Sequence, residues 1–382
     1  MSSTADFRRQ MPEASRDLRQ PISLAQRWHI DVPLLILLLA LSVYGLSVLY
    51  SASGQNIYYM KRQMIFFGLA YAVMFTVAQV RLKTIESWSV WFYSAGVVLL
   101  VMVLLFGVGA KGAQRWLSIG GFRFQPSEIL KLAVPIMVAT YLSQRILPPR
   151  FKHVFWTLAL IGTPTLLIMK QPDLGTSLLI ASSGLLVLFF AGLRWKYIFS
   201  AIALVLANAW PIWTFVLRDY QKQRILTLLN PEADKLGAGW NIIQSKTAIG
   251  SGGIEGKGWM NGTQSQLDFL PESHTDFIIA VLAEEFGLQG VLLLMLLYVL
   301  ILGRGLWIAA QAQSTFARLL AGSITFTFFI YIFVNIGMVT GLLPVVGVPL
   351  PLVSHGGTSI VTLMMGFGIL MAVSTERRRV NI

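Results

Sequence analysis

The stretch FLPESHTDFIIAVLAEEFG (residues 269–287) changes from a polar, proline-containing loop into an apolar helix. The apolar run continues to residue 302, long enough to cross a bilayer, which requires about 20 apolar residues. Glu284 and Glu285 nevertheless lie about 12 Å beyond Asp276 along the helix axis, at a rise of about 1.5 Å per residue. Acids at that depth are costly unless they pair internally or line a hydrated cavity. The stretch therefore predicts a membrane helix with ionisable groups at its mouth and inside it.

The rest of the 382-residue chain repeats this apolar pattern, with a mean hydropathy of +0.67 and 12% charged residues. A soluble domain carries about twice that share of charge. Ten apolar runs approach the length of a bilayer crossing, and they cover residues 33–50, 64–80, 90–108, 129–142, 154–169, 176–192, 197–217, 277–302, 319–339 and 358–373. Helices satisfy all their backbone polar groups within lipid. We therefore predict an all-α polytopic membrane protein with about ten transmembrane helices.

The net charge of +13 is unevenly distributed along the chain. Lys and Arg concentrate in the N-terminal tail and in alternate short loops, as cytoplasmic segments do. This predicts a cytoplasmic tail at 1–30, one multi-pass transmembrane domain at 31–375 and a basic cytoplasmic tail at 376–382. Two loops on the predicted outer side are also basic, 111–123 and the long loop 218–276, and an anionic ligand is one reason for that. The absence of cysteine excludes disulfides, thiol catalysis and thiolate metal sites.

The first basic outer loop and the loop after residue 170 contain candidate support residues. Glu128 and Lys131 share a helix face at a spacing of three, beside Arg115 and Trp116, which are candidate substrate-binding residues. The alternative is an interfacial segment with a local ion pair and Trp116 in the aromatic belt. Asp173 is predicted to cap the helix that follows it. A Lys131–Asp173 pair is a further hypothesis, and it would support a site rather than perform chemistry.

The long outer loop and the entrance to the next helix contain the remaining candidates. Glycines near residue 253 can let backbone N–H groups approach a phosphate, or they can simply form turns, and the pattern does not match a P-loop. The candidate substrate-binding residues here are Arg218, Lys222, Arg224, Gln244, Ser245, Lys246, Gln264 and His274. Asp276 can be a reactive acid or, like Thr275, an N-cap. The proline- and glycine-rich segment 341–359 predicts a re-entrant turn, since irregular backbone at membrane depth must be buried in protein.

Together these motifs resemble the SEDS family (shape, elongation, division, sporulation). The matching segments are SASG, KGAQRWL, FQPSE, QPDLGTS, NIIQSKTAIGSGG, GTQSQLDFLPESHTDFIIAVLAEEFG and GLLPVVGVPLPLVSHGG. They occur in family order from the first predicted helix to the last. The GTQSQ segment and the short termini resemble the RodA branch, which serves elongation, more than the FtsW branch, which serves division. One departure is His355, where the family usually has tyrosine.

The resemblance implies a GT-C-like fold in the bacterial cytoplasmic (inner) membrane and polymerisation of lipid II into β-1,4 glycan at its outer face, with release of undecaprenyl pyrophosphate. It implies that Asp276 is the essential acid, which suits a general base for the acceptor hydroxyl. Basic residues and a divalent cation, Mg²⁺ or Mn²⁺, are candidates for neutralising the pyrophosphate, with no organic cofactor. Glu284 and Glu285 are then structural, with Lys131 a candidate partner.

The implied protein partners are a class B penicillin-binding protein and, as further candidates, MreC and MreD. A lipid II flippase is the alternative function, and a scaffold without chemistry is a third. The unusual polar residues are concentrated on one predicted face, which favours an enzyme over a transporter with access from both sides.

Overall fold

The computed structural model describes residues 28–110, 113–119, 122–234, 237–266, 269–270 and 272–376. Most of the predicted tails, 1–30 and 376–382, therefore lies outside the described residues. The described elements are the helices α1 (Val32–Ala52), α2 (Ile57–Ala78), α3 (Leu82–Phe106), α4 (Pro126–Ser143), α5 (Phe151–Lys170), α6 (Leu174–Phe190), α7 (Trp195–Ala207), α8 (Ala209–Val216), α9 (Asp219–Leu229), α10 (Ala238–Gly252), α11 (Thr263–Gln266), α12 (Ile278–Gln311), α13 (Thr315–Val339) and α14 (Gly357–Ser374), and the strands β1 (Val108–Ala110), β2 (Ala113–Ile119) and β3 (Phe122–Phe124).

Each of the ten predicted apolar runs falls on helix, and the run 197–217 falls on the pair α7 and α8. Within the described residues, six helices are long and apolar enough to cross a membrane: α1, α3, α5, α12, α13 and α14. The pair α7–α8, bent by 60°, would be a seventh span, and α6 is a shorter apolar helix of 17 residues. The chain is thus a helical membrane protein.

The prediction of an all-α fold is wrong between α3 and α4, where β1, β2 and β3 form a small antiparallel sheet in that order. Two local signals explain it. The segment WLSI is rich in strand-forming residues, and a Gly-Gly pair stands in the sequence between β2 and β3, which is a short-hairpin signal. The sheet carries Arg115 and Trp116 at the mouth of the helices.

Helix α12 is interrupted at Gly287, whose φ of +62° and ψ of −159° are not helical. The loop after α10 pairs with the freed backbone: Lys257 N donates to Glu284 O at 3.0 Å, and Leu288 N donates to Gly253 O at 3.0 Å. A Cβ on Gly287 would overlap the backbone of Gly256. Only glycine therefore permits both the positive φ and the close approach, and the 218–276 loop, called the outer loop after its predicted side, is anchored inside the helix bundle.

The segment between α13 and α14 is not helical, and its second half, from Val348 to Ser354, is largely buried, as a re-entrant turn requires, whereas Leu342 in its first half is 75% exposed. Leu350, Leu352 and Val353 are each at most 1% exposed. The hydroxyl of Tyr298, on α12, donates to Pro351 O at 2.8 Å. By contrast, no residue of α7 or α8 is buried, so this bent pair has little contact with the rest of the described bundle.

Candidate active site

Three consecutive backbone carbonyls of the segment just before α12 accept hydrogen bonds from other parts of the chain, and these bonds hold the segment in place. His355 N donates to His274 O at 2.9 Å, and the Ser354 hydroxyl donates to Thr275 O. The amide of Asn335, on α13, donates both to Asp276 O at 2.8 Å and to Val348 O at 2.7 Å. The re-entrant segment and α13 therefore fix the backbone that carries Asp276.

The side chain of Asp276 is only partly buried, in contrast to the residue that follows it. The N-cap position of α12 is Phe277, with no side-chain cap hydrogen bond. The alternative that Thr275 or Asp276 is simply the N-cap residue is therefore wrong. Gly347, with φ +75°, lies alongside the carboxylate, because a Cβ there would be 3.3 Å from Oδ2. A glycine at this position leaves room beside the acid.

Two guanidinium groups face the same region from the sheet and from the outer loop. Arg115 Nη2 donates to Pro172 O at 2.7 Å, and its Nε lies 3.7 Å from Asp173 Oδ2. Arg224, on α9, lies over the ring of Tyr220 at 5.9 Å.

Burial lowers the pKa of Arg224, and the positive charge of Arg115 acts in the same direction. Asp173 and Asp276 oppose that shift, so all these groups share one electrostatic neighbourhood. Within the described residues, Arg224 Nη1 and Arg115 Nε are buried without a hydrogen-bond partner. Buried donors of this kind are costly unless they bind something, and an anionic ligand would satisfy them.

A cavity of about 490 Å³ lies beside this region, between the end of α5 and the start of α9. Leu166, Leu167 and Val216 make its walls mainly apolar. Two cationic side chains, Lys170 and Arg218, also line it. Such a cavity can take an apolar chain with an anionic head.

The other predicted substrate-binding residues differ in how far they are buried. Trp116, Lys222 and Gln244 are partly buried and Lys246 is exposed, with its ammonium close to Gly341 of the re-entrant segment. The prediction for Ser245 needs correction. Its hydroxyl is fully buried and donates to Val339 O at 2.8 Å and Ile242 O at 3.0 Å, so it packs α10 against the end of α13.

The predicted Lys131–Asp173 pair is wrong. Lys131 Nζ bonds Glu128 Oε1 at 2.7 Å within α4 and lies 5.4 Å from the ring centre of Tyr331. Asp173 caps α6, as predicted, by accepting from Thr176 N at 3.2 Å. The partner at a spacing of three is already on the same helix face as Lys131, and Asp173 is turned toward Arg115.

The carboxylate of Glu284 is completely buried and accepts several hydrogen bonds from the outer loop. Its donors are Lys257 Nζ at 2.7 Å, Thr263 N at 2.8 Å and Gln264 N at 3.1 Å. The role of Gln264 includes this backbone bond, while its side-chain oxygen is buried without a partner among the described residues.

Glu285 is 1% exposed and accepts from the hydroxyl of Ser51, on α1, and from the backbone of Met260 and Gly262. The proposed partner Lys131 is therefore wrong for both acids. Their hydrogen bonds join α12 to the outer loop and to α1, and the role of both acids as support residues stays a prediction.

The sequence interpretation missed Ser354 and underused Asn335, which it treated only as a polar group in the bundle. An asparagine completely buried in an apolar helix is a usable signal, because its amide must find carbonyl partners. The sequence interpretation also did not single out Tyr59 and Arg62, at the start of α2, as candidate functional residues. The sequence does show Lys61 and Arg62 at the outer end of an apolar run, where basic residues are disfavoured.

Comparison with known proteins agrees with this geometry. The family model described as cell cycle protein, for FtsW, RodA and SpoVE, matches residues 30–379. The chain therefore belongs to the FtsW/RodA/SpoVE family, and the SEDS resemblance is confirmed. The chain is 54% identical over 353 residues to the peptidoglycan glycosyltransferase MrdB of Escherichia coli K12, covering 92% of this chain and 95% of that protein. It is 36% identical to the stage V sporulation protein E of Bacillus subtilis, covering 91% and 98%.

Two solved structures share the fold. A chain from a peptidoglycan synthase complex, described for its structural coordination of polymerization and crosslinking, aligns with a TM-score of 0.81 at 29% identity and covers 91% of this chain and 98% of that one. The rod shape determining protein RodA of Thermus thermophilus aligns with a TM-score of 0.70 at 27% identity, covering 94% and 100%.

Proposed function

We propose that this protein is a peptidoglycan glycosyltransferase that polymerises lipid II into β-1,4 glycan strands during cell elongation. The observation that carries the proposal is the partly exposed carboxylate of Asp276, on a backbone held by three hydrogen bonds and in the electrostatic neighbourhood of Arg224. Family membership and the high identity to a named peptidoglycan glycosyltransferase support it.

In the proposed reaction, Asp276 accepts the proton of the acceptor GlcNAc 4-hydroxyl. The oxygen attacks C1 of the donor sugar, and the bond from C1 to the pyrophosphate oxygen breaks as the new glycosidic bond forms. Attack from the face opposite the leaving group converts an α-linked donor into a β-linked product. Undecaprenyl pyrophosphate leaves with the bonding electron pair and needs no acid to protonate it, unlike the leaving group of a glycosidase.

The buried guanidinium donors of Arg115 and Arg224 are suited to the growing negative charge of the leaving pyrophosphate. Lys222, Lys246, Gln244, His274 and Trp116 remain proposed substrate contacts. The cavity at Lys170 and Arg218 suits the polyprenyl chain beneath an anionic head.

A divalent cation stays part of the proposal. Among the described residues, no three His, Asp or Glu side chains stand together as a ligand set. Mg²⁺ commonly binds substrate phosphates with few protein ligands, so such a cation would be held mainly by pyrophosphate oxygens and would add charge neutralisation there.

We further propose that all ten apolar segments cross the inner membrane, with both termini in the cytoplasm and Asp276 at the outer face. The proposed partner is a class B penicillin-binding protein that crosslinks the glycan, with MreC and MreD as further partners. Similarity to a chain of a peptidoglycan synthase complex supports the first of these.

The test uses purified full-length protein, its cognate penicillin-binding protein and lipid II in liposomes, with polymer followed on a gel. Wild type should form polymer, whereas Asp276→Asn should lose at least about 10²-fold in rate, the range for a missing general base. Glu272→Gln is the matched control, since Glu272 is an exposed acid in the same segment. Equal polymer from wild type and Asp276→Asn would contradict the role of Asp276. Lipid II transfer across the bilayer without polymer would favour the flippase.

A further inference from the structure

A second group of polar side chains lies next to Asp276, on its α2 side. The rings of His274 and His355 have centroids 6.3 Å apart. Tyr59 lies against both, with centroid distances of 4.9 Å to His274 and 5.4 Å to His355. The bond from His355 N to His274 O joins the two histidines through the backbone as well. Arg62, whose guanidinium lies 5.7 Å from the ring centre of Phe66, acts on His355 through its charge, and we call His274, His355, Tyr59 and Arg62 the histidine cluster.

Burial and the charges around His355 both disfavour the protonated form of its ring. Burial lowers the pKa of His355, and the positive charges of Arg62 and His274 lower it further. Its Nε2 is buried and has no hydrogen-bond partner within the described residues. The groups that face it are Tyr59 and Arg62 from α2 and His274 from the segment before α12, on which Glu272 and Asp276 are the acids.

The histidine cluster is separate from the arginine pair described above. Arg224 responds to Arg115, Asp173, Asp276 and Tyr220, whereas His355 responds to Arg62 and His274. The two sets share no group. The cations of the first set come from the sheet and α9, and Arg62 of the second comes from α2, while Asp276 and His274 both lie on the segment before α12. Two cationic sites therefore approach the segment of Asp276 from different elements.

We propose that the histidine cluster binds the pyrophosphate of a second lipid-linked sugar, while Arg115 and Arg224 bind the first. This rests on the proposed function, because a polymerase that joins two such lipids must hold two pyrophosphates, each with multiple negative charges. Keeping them on separate cations avoids the repulsion of placing both at one site. The unpartnered Nε2 of His355, the ring of His274 and the guanidinium of Arg62 are the groups that contact the anion.

Binding by this cluster takes up a proton, because a nearby anion favours the charged form of histidine. The bound anion shifts His355 toward its protonated form, so a lower pH favours binding. The expected apparent affinity for the lipid substrate rises by about tenfold between pH 8 and pH 6, the direction required by proton linkage at one group. An aromatic cluster that serves packing alone would give no such dependence.

Histidine NMR provides a direct test, since the chain has only four histidines. His29 and His153 serve as internal controls, because they bond Thr375 and Tyr141, away from the cluster. The full-length protein, labelled at histidine, is titrated from pH 5 to 8 in nanodiscs, without ligand and with farnesyl pyrophosphate. The pKa of His355 should rise with ligand and the His274 signals should also respond to it, whereas the signals of His29 and His153 should not change with ligand.

The lipid composition of the nanodiscs distinguishes two possible sources of the bound anion, the pyrophosphate and a bulk anionic lipid. A rise that requires farnesyl pyrophosphate in phosphatidylcholine nanodiscs supports the proposal. The full rise in phosphatidylglycerol nanodiscs without pyrophosphate would overturn it in favour of a bulk anionic lipid. No rise, or an equal rise at all four histidines, would overturn it as well.

Kinetics of polymerisation test the same site independently. His355→Tyr keeps an aromatic ring against Tyr59 but cannot take up the proton. The ratio of KM for this variant to KM for wild type should rise by about tenfold from pH 8 to pH 6. Taking the ratio removes the pH dependence that the two proteins share in the rest of the reaction. A ratio independent of pH would overturn the proposal. An inactive wild type would contradict the proposed function, while the NMR result would still decide whether the cluster binds pyrophosphate.

Discussion

Asp276 and the pair Glu284–Glu285 lie within ten residues of each other, yet their surroundings are opposite. The Asp276 side chain is partly exposed, and the hydrogen bonds that hold its segment go to backbone carbonyls. Glu284 and Glu285 are at most 1% exposed, and their carboxylates are occupied by donors from the outer loop and α1. At Asp276 the protein fixes the backbone that carries the acid, whereas at Glu284 and Glu285 it surrounds the carboxylates with hydrogen-bond donors.

The difference shows how one apolar helix can include both a reactive acid and structural ones. A general base needs access to a substrate proton and a fixed position. A buried carboxylate instead needs donors to offset its loss of hydration. Glu284 obtains them from Lys257, Thr263 and Gln264, and this makes it an anchor for the chain between α10 and α12.

The largest expected effect on stability follows removal of that anchor. Glu284→Ala should lower the free energy of unfolding by about 3 kcal/mol, because it leaves the Lys257 ammonium and two backbone N–H groups without their acceptor. Thermal unfolding in detergent, followed by intrinsic fluorescence, measures this. Glu255→Ala is the control, since Glu255 is an exposed acid of the same loop. Equal midpoints for the two variants would contradict the role of Glu284 as an anchor.

The next effect concerns the fixed backbone at Asp276. Asn335→Asp keeps the size of the side chain but replaces the amide that donates to Asp276 O and Val348 O. We expect kcat to fall by about 10²-fold, the cost of misplacing a catalytic group by about 1 Å, while KM changes little. Lipid II polymerisation rates over a range of concentrations separate the two constants. An unchanged kcat with a lower unfolding midpoint would mean that Asn335 serves packing only.

A smaller effect should distinguish two cations on α9. Arg224→Gln should reduce kcat/KM on the order of tenfold, because its charge acts next to the proposed leaving group. Lys222→Gln, two residues earlier on the same helix, should reduce kcat/KM by a smaller factor, about two- to threefold, because Lys222 is a proposed substrate contact whose charge is not among those that act on Arg224. Comparable losses in both variants would mean that the loop attracts the lipid through its overall charge.

The smallest effect concerns Glu285. Ser51→Ala removes one hydrogen bond to this buried carboxylate while the Met260 and Gly262 backbone contacts remain. The expected loss of stability is about 1–2 kcal/mol, with polymerisation near the wild-type rate. Ser53→Ala is the control, because the Ser53 hydroxyl bonds only its own helix, at Tyr50 O. A large loss of activity in Ser51→Ala would indicate that Glu285 takes part in the reaction rather than only in stabilising the structure.

Local features of the chain were predictable from its sequence. The ten apolar runs fall on helices, and Asp173 is the N-cap of α6. The Glu128–Lys131 pair also follows from the three-residue spacing alone. The sheet that carries Arg115 was missed, because its strands are short and lie between strong membrane helices.

Partnerships across the chain were not predictable. Lys131 was matched to Asp173 and to Glu284, but it bonds Glu128, while Glu284 bonds Lys257. Ser245 was assigned to substrate and instead packs against Val339. In each case the residue type was informative, and the partner came from a segment that no local pattern identifies.

The sequence by itself determined the helical membrane class, the position of Asp276 at the mouth of a helix and the presence of acids inside it, because hydropathy and capping depend on neighbours along the chain. Only the tertiary structure decided that Asp276 is partly exposed and that Glu284 and Glu285 are buried. That depends on donors such as Asn335, Ser354, Ser51 and Lys257, which are brought to the α12 entrance by the folding of distant segments. Burial and hydrogen bonding are properties of proximity in space, and proximity between distant segments is set by packing.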